Sequence, residues 1–170
     1  MLPSETIARQ SIKQYILYLF NGIKRRMRLT SYSDYSLRLL MYAALKDGNL
    51  VTIQEVADVY GISKNHLMKV AFQLGRHGIL ETVRGRNGGL RLARKPEDIG
   101  IGEVIRLTEE DFTMVECFDP ASNTCVIARP CRLRGMLSRA LDAYLGVLDE
   151  YTLANLTERH LALSRILLSA

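Results

Sequence analysis

The sequence predicts a mainly α-helical fold with a small β-hairpin wing: a winged helix-turn-helix followed by a long dimerisation helix. Three observations lead to this class. Apolar residues recur at helical spacing in three short segments between residues 33 and 76, each bounded by capping or turn residues. Residues 79–93 change to the period of two strands around a glycine-rich turn. From residue 131 onward, one apolar stripe continues for about six helical turns.

The first three helices are predicted from their capping residues. They span 33–46 from Ser33, 53–60 from Thr52 and 63–76 from Ser63. Glu55 completes a capping box with Thr52, and Gly61 supplies a tight turn before the third helix. Ala57 and Leu67 fall where a helix-turn-helix needs a small contact residue and a core residue. The pattern therefore predicts this motif, with the third helix as the recognition helix that enters the major groove of DNA.

A hairpin and a short helix follow the recognition helix. Strands are predicted at 79–83 and 89–93, and the segment between them carries Asn87-Gly88, a pair typical of hairpin turns. A helix-turn-helix followed by such a hairpin forms a winged helix. Beyond the wing, a linking helix is predicted at 101–108.

The distribution of charge predicts the partner. The 170-residue chain has a formal charge of +5 and a pI near 9.2, a balance that favours an anionic partner. Residues 63–95 hold eight cations and one anion, whereas residues 96–119 hold eight anions and one cation. A uniformly solvated surface would mix the two signs. The positive field is confined to the recognition helix and the wing, which predicts a double-stranded DNA operator as the partner.

The residues expected to contact DNA share a place in the first turns of the recognition helix or at the wing tip: Ser63, Lys64, Asn65, His66, Lys69, Arg84, Arg86 and Asn87. Asn65 suits adenine, and the two lysines suit guanine or phosphate. The two arginines suit phosphates or a narrow minor groove. Any one of these residues is explained as well by an ordinary solvated surface, and it is the cluster of cations that favours DNA binding.

All three cysteines lie in one short stretch, as Cys117, Cys125 and Cys131 with the spacing C-x7-C-x5-C. Their odd number, without a secretory pattern, argues against a disulfide scaffold and favours the cytoplasm, where thiols stay reduced. A structural zinc site usually has closer cysteine pairs and four ligands. The longer gaps fit a bulkier iron–sulfur cluster, and three thiolates leave one coordination place where a small molecule can attack.

Cys131 is expected to begin the long helix, with Arg129 and Arg132 beside it. A helix N-terminus and nearby cations favour the thiolate form of a cysteine. Two alternatives stay open from the residues alone. In the first alternative to a cluster, the cysteines are three unrelated thiols in a surface loop. In the second, they form a redox switch in which Cys117 and Cys125 make a disulfide.

Four segments are predicted along the chain: an N-terminal extension (1–26), the winged helix-turn-helix DNA-binding domain (27–108), the cysteine-containing loop (109–131), and the dimerisation helix with a C-terminal helix (132–170). The apolar stripe over 131–151 exceeds what so small a core can cover, which favours a homodimer. The C-terminal helix, 152–168, is predicted to serve packing. The apolar run within the extension is far too short to span a bilayer, so no membrane partner is expected. Met27 is an alternative start.

Four stretches carry a resemblance to a known family: MRLTSYSDYSLRLLMYAAL from Met27, SKNHLMKV in the recognition helix, RGRNGGLRLA in the wing and ECFDPASNTCVIARPC in the cysteine loop. Together they resemble the winged-helix iron–sulfur transcription regulators, and among these the repressors that respond to nitric oxide. The resemblance covers about residues 27–156. A winged helix alone would be weak support, whereas the recognition-helix and cysteine-loop motifs are specific in combination.

The resemblance implies a homodimeric repressor in which each cysteine loop holds an iron–sulfur cluster, with 4Fe–4S favoured over 2Fe–2S. Cys117, Cys125 and Cys131 match the cluster ligands. Asp34 matches a fourth, oxygen ligand that comes from the other subunit, although by itself it reads as an acid that stabilises the first turn of a helix. Family behaviour implies that nitric oxide nitrosylates the cluster and that the protein then releases its operator.

Three other functions are compatible with the sequence. A regulator of iron status or iron–sulfur assembly would share the fold and differ in its stimulus. A thiol-based redox protein without a cluster would use Cys117 or Cys131, but the loop has no histidine and no C-x-x-C pair, so no enzyme activity is expected. A cluster-free DNA-binding or architectural protein would be colourless and would bind DNA without site specificity.

Overall fold

The computed structural model describes residues 28–158 and 161–168, so the N-terminal extension lies outside the described residues. The helices and strands are α1 (Ser31–Leu45), α2 (Ile53–Tyr60), α3 (Lys64–Arg76), β1 (Leu80–Val83), β2 (Gly89–Leu92), α4 (Ile101–Thr108), α5 (Arg132–Asp149), α6 (Leu153–Thr157) and α7 (Leu161–Leu168). The mainly helical chain with one small antiparallel sheet confirms the predicted fold class. None of the described helices combines the length and the apolar character needed to cross a membrane.

Helix α1 begins earlier than its predicted cap. Thr30 is the N-cap, and its hydroxyl accepts a hydrogen bond of 3.2 Å from the Ser33 amide. The prediction of Ser33 as the cap is wrong because that side chain is fully buried in a tertiary contact. Its hydroxyl donates to the Glu109 carboxylate and accepts from the Thr108 hydroxyl at 2.8 Å. The start of α1 is thereby joined to the end of α4.

The helix-turn-helix forms as its residues predict. Thr52 and Glu55 make a reciprocal capping box at the start of α2. Gly61 ends that helix at φ 64°, a left-handed conformation that glycine adopts without steric cost. Ala57 and Leu67 are buried at the contact between α2 and α3. The short turn and this buried contact therefore determine the orientation of α3 relative to α2.

The predicted hairpin is confirmed, with β1 and β2 antiparallel from Leu80 opposite Leu92 to Val83 opposite Gly89. The loop between the strands has the predicted bounds. Five residues, 84–88, connect the strands, and Gly85 takes the positive φ of 123°. Gly88 is needed for space, because a Cβ there would overlap the Val83 carbonyl.

The wing is attached to the helices through the backbone. Val51, between α1 and α2, pairs with Leu90 of β2: the Val51 amide donates to Leu90 O at 2.8 Å and the Leu90 amide donates to Val51 O at 2.7 Å. Gly89 allows this approach, since a Cβ there would stand 2.8 Å from Val51 O. Val51 is therefore an isolated bridge residue that pairs with the hairpin from the helical part of the domain.

The C-terminal helix predicted over 152–168 is wrong as one helix. Helix α6 ends at Thr157, Glu158 is extended (φ −64°, ψ 136°), and α7 begins at Leu161. The division lets both pieces reach one core, because Leu153 of α6 and Leu167 of α7 are buried in the same cluster. Packing thus sets a boundary that helical periodicity does not show.

Helix α5, close to its predicted span, is held at its C-terminal end. Two hydrogen bonds join Arg106 of α4 to the Asp149 carboxylate, one of them 2.7 Å from Nη2 to Oδ2. The Arg106 hydrogen bonds keep the pKa of Asp149 below its usual range. Gly102 permits the approach, because a Cβ there would overlap that carboxylate. Helix α5 itself contains no buried residue.

Candidate functional site

Helix α3 separates its buried face from an exposed polar face. Its inward side is formed by Leu67, Val70, Ala71 and Leu74. The residues predicted to contact DNA are all exposed at its start and along its outer side: Ser63, Lys64, Asn65, His66 and Lys69. The structure therefore brings the five predicted residues of this helix to one accessible surface, called the α3 face below.

Ser63 occupies the N-cap position of α3, but its side chain makes no capping hydrogen bond, so the predicted cap is wrong in that respect. Its own backbone carbonyl already accepts from the amides of His66 and Leu67, each at 3.1 Å. The His66 amide is one that a capping hydroxyl would otherwise serve. The Ser63 hydroxyl consequently remains exposed on the α3 face.

Sequence reasoning missed an aromatic support beneath the α3 face. The rings of Tyr35 and His66 are stacked, with centroids 6.1 Å apart and an interplanar angle of 26°. Tyr35 comes from α1, and the spacing within either helix gives no indication of the contact. It orients the His66 imidazole, which is otherwise free to turn on an exposed surface.

The wing tip places Arg84, Arg86 and Asn87 in solvent. Two other wing cations are neutralised: Arg91 pairs with Glu81, and Arg94 donates to Glu103 at 2.8 Å. Among the described residues, the four predicted DNA-contacting cations of α3 and the wing tip form no ion pair, namely Lys64, Lys69, Arg84 and Arg86. The positive charge of the α3 face and the wing tip is therefore available to an anion.

The three cysteines are free, and each is half-buried. Glu116, next to Cys117, accepts hydrogen bonds from Thr124, next to Cys125: 3.0 Å from the amide and 2.8 Å from the hydroxyl. The hydroxyl of Thr124, followed by its amide, lowers the pKa of Glu116. These bonds draw the neighbours of two cysteines together across an eight-residue span.

Cys131 is the N-cap of α5 and lines a cavity of about 450 Å³. The cavity also touches Phe118, which follows Cys117, and Ala128, whose amide donates to the Cys125 carbonyl at 3.2 Å. The wall further contains Arg129, Arg134, Gly135 and Ser138. The chain segments that bear the three thiols thus meet around one space with cationic edges.

The donor chemistry of this loop fits an iron–sulfur cluster, for which thiolates are the usual ligands. In the described part of the chain, no group of three or more His, Cys, Asp or Glu side chains is close enough to hold a metal ion. A multi-iron cluster needs its ligands farther apart than one ion does. Cys117, Cys125 and Cys131 would be its ligands from this chain.

Asp34 contacts a neighbour in its own helix. The Arg38 guanidinium donates from Nε to Oδ1 at 3.0 Å and stands 2.9 Å from Oδ2 through Nη2. The Asp34 side chain keeps 43% of its surface exposed and does not line the Cys131 cavity. Within one chain, the structure therefore brings Asp34 to Arg38 and not to the cysteine cavity.

Comparison with known proteins identifies the relatives of this arrangement. The family model Rrf2, described as an iron-dependent transcriptional regulator, matches residues 29–159. The chain belongs to the Rrf2 family. It is 56% identical over 131 residues to the HTH-type transcriptional regulator NsrR of Bacillus licheniformis, which covers 76% of this chain and 92% of that relative. It is also 56% identical over 133 residues to NsrR of Bacillus subtilis, covering 78% and 91%.

A solved structure shares the overall fold described above. CymR, described as the global cysteine regulator of B. subtilis, superposes with a TM-score of 0.65 at 25% identity, covering 77% of this chain and 96% of that one. The chain is therefore a transcriptional regulator of the NsrR type, which binds DNA and is not an enzyme. The predicted family and the predicted lack of enzyme activity are confirmed by these relatives.

Proposed function

We propose that this Rrf2 protein is a homodimeric repressor that binds a double-stranded DNA operator in the cytoplasm and releases it when nitric oxide reaches an iron–sulfur cluster. The observation that carries the proposal is that three half-buried, free thiols lie on chain segments that meet at one cavity, which Cys131 lines at the start of α5. The similarity to NsrR regulators supports it independently. Reduced thiols and access to DNA both favour the cytoplasm.

The operator is bound by the α3 face and the wing tip. The residues in this role are Ser63, Lys64, Asn65, His66, Lys69, Arg84, Arg86 and Asn87. Their side chains are exposed, and the cations among them have no acid partner within ion-pair distance in the described chain. Neutralising phosphates with these cations would make binding steeply dependent on salt.

The homodimer forms through α5. No residue of this helix is buried, and Leu133, Met136 and Val147 expose 58%, 65% and 54% of their surfaces. An apolar face of this length on a small domain is stabilised by packing against a second copy. The two recognition helices would then address two half-sites, as in other dimeric helix-turn-helix proteins.

The cluster is held by Cys117, Cys125 and Cys131, and 4Fe–4S is favoured over 2Fe–2S. Bound there, it would supply an iron without a thiolate, which is the position open to nitric oxide. Asp34 of the second copy is the proposed fourth ligand. That role requires the Asp34 carboxylate to leave Arg38, a partly exposed ion pair whose loss costs little.

The test is the visible absorption and iron content of anaerobically purified protein, before and after addition of nitric oxide, together with DNA binding. We expect a brown protein that bleaches and loses specific DNA binding. Cys125→Ala should lack iron, whereas the control Val126→Ala, at a neighbouring side chain with 96% exposure, should keep it. Full repression by iron-free Cys125→Ala would refute the mechanism.

A second candidate function is favoured by the description of the family as iron-dependent. In that case the protein would report iron status through the same loop. Release of DNA by an iron chelator, combined with indifference to nitric oxide, would establish this function. A colourless protein after reconstitution with iron and sulfide would instead favour a cluster-free regulator or a thiol switch between Cys117 and Cys125.

A further inference from the structure

The α3 face carries two large apolar side chains among its polar ones. Met68 exposes 50% of its surface and Phe72 exposes 66%. Together with Asn65 and Lys69 they line a shallow, mostly apolar cleft of about 390 Å³. This cleft lies on the surface that the proposed function directs toward DNA.

Folding of the domain does not account for Met68. The core contacts of α3 are made by Leu67, Val70, Ala71 and Leu74, and Met68 belongs neither to the core nor to the partly buried residues that pack against it. It lies three positions after Asn65, so the two side chains are neighbours on the helix surface. An apolar side chain beside a base-contacting amide has its natural partner on the bound nucleic acid.

The major groove offers one apolar group to such a side chain, the C5-methyl group of thymine. We propose that Met68 is a specificity-determining residue that packs against a thymine methyl next to the base contacted by Asn65. Methionine suits this contact because its unbranched, polarizable side chain adapts to the position of a partner. The inference rests on the proposed function, in which α3 enters the major groove.

Charge selects Met68 rather than Phe72 for this contact. Lys64 and Lys69 flank Met68 on the α3 face and attract phosphates. Phe72, one turn farther along, also lines a cavity of about 520 Å³ whose wall includes Lys69 but also Glu109 and Glu110, and these two carboxylates repel phosphates. The DNA-facing end of the apolar cleft is therefore the Met68 end.

The experiment begins with DNA selected from a random duplex library by the intact, cluster-loaded protein. Each thymine of the selected site is then replaced in turn by uracil, which removes only the methyl group. For the wild type we expect at least one uracil position per half-site to weaken binding about fourfold, the factor contributed by one buried methyl group. Met68→Ala should bind the thymine site correspondingly less tightly and should be insensitive to uracil at that position.

Two variants serve as controls. Met114→Ala changes a methionine of similar exposure, 45%, outside α3 and should retain the uracil sensitivity of the wild type. Met68→Leu keeps an apolar side chain and should retain most of it. Circular dichroism and the unfolding midpoint of Met68→Ala should match the wild type, since the side chain lies outside the core.

The outcomes separate this inference from the function on which it rests. If Lys69→Ala weakens binding to the selected site but the uracil scans of wild type and Met68→Ala coincide, Met68 does not contact a thymine methyl. If the wild type selects no sequence and Lys69→Ala changes nothing, α3 is not the DNA-binding helix and the proposed function fails first.

Discussion

The winged-helix part of the molecule and the cysteine loop with α5 are built in different ways. The core cluster draws its side chains from α1 to α4, the two strands, and Leu153 and Leu167. Between Glu109 and Asp149, where every residue is described, only Ala128 is buried. The first region carries its own apolar core. The second is shaped by local hydrogen bonds, and within the single chain its apolar groups are largely exposed and its thiols half-buried.

The hydrogen bonds of the loop illustrate the difference. Asp119 accepts from the Ala121 amide at 2.9 Å and from the Ser122 hydroxyl at 2.6 Å, and the Cys125 amide donates to Asn123 Oδ1 at 3.0 Å. Each is exposed or only partly buried, so its net contribution to stability is small. A region assembled from such bonds can rearrange at low cost, which suits a segment that responds to a ligand.

The largest effect is expected from a valine-to-alanine substitution made once in the winged-helix core and once in the cysteine loop. Val56→Ala removes a fully buried side chain of the core, and we expect the free energy of unfolding to fall by about 2 kcal/mol, roughly thirtyfold in the unfolding equilibrium. Val126→Ala, at 96% exposure in the loop, should leave it unchanged. Urea titration followed by circular dichroism measures both. Equal losses would show that the loop is part of the folding core.

An intermediate effect is expected at Asp34, which belongs to the first region but is proposed to serve the cluster of the second. Asp34→Ala should leave stability nearly unchanged, because its ion pair with Arg38 is partly exposed. It should shift the nitric oxide concentration that releases half of the DNA by about tenfold, the scale on which residues around a metal site act. Asp58→Ala is the matched control, since Asp58 also pairs four residues away within a helix, accepting from Gln54 at 2.6 Å. If the two variants behave alike, Asp34 serves only the first turn of α1.

The smallest effect concerns the joint between the two regions. The pKa of Asp149 is lowered chiefly by its hydrogen bonds from Arg106. Its contribution to stability is therefore complete above the carboxyl pKa of the unfolded chain, about 3.9, and is lost as pH falls through the lower pKa of the folded state. Asp149→Asn should shift the urea midpoint slightly at pH 7, less in high salt, and progressively less as the pH falls below about 3.9. The exposed Asp142→Asn should leave the urea midpoint at pH 7 unchanged. A shift of Asp149→Asn that persisted below the folded-state pKa of Asp149 would assign its effect to packing at Gly102 instead.

Local patterns predicted those parts of the fold whose causes are local. The capping box of Thr52 and Glu55 and the left-handed Gly61 are decided within a few residues, and both formed as expected. Ser33 failed as a cap because its hydroxyl bonds to Glu109, 76 positions away. The break after Thr157 likewise depends on a core built from distant segments. Neither long-range contact can be predicted from the residues near it in the sequence.

In the candidate site, too, local patterns do not predict contacts between distant segments. The spacing of the cysteines predicted one loop, but not the cavity that joins Cys131 to Phe118. The charge pattern of the recognition helix does not indicate Met68 and Phe72, because both side chains are apolar. Their sequence indication was position: they lie three and seven residues after Asn65, on its side of the helix.

The pairing of Val51 with Leu90 has a mechanical consequence. Two backbone hydrogen bonds fasten the wing to the segment between α1 and α2, and the Gly61 turn joins α3 to the end of α2, which follows that segment. We therefore expect helix and wing to move as one stiff body, so that in the proposed complex neither would leave DNA without the other. In a dimer of two such units, a stimulus would change only the distance and the angle between the units. Both must match the spacing of half-sites that the pitch of the double helix sets.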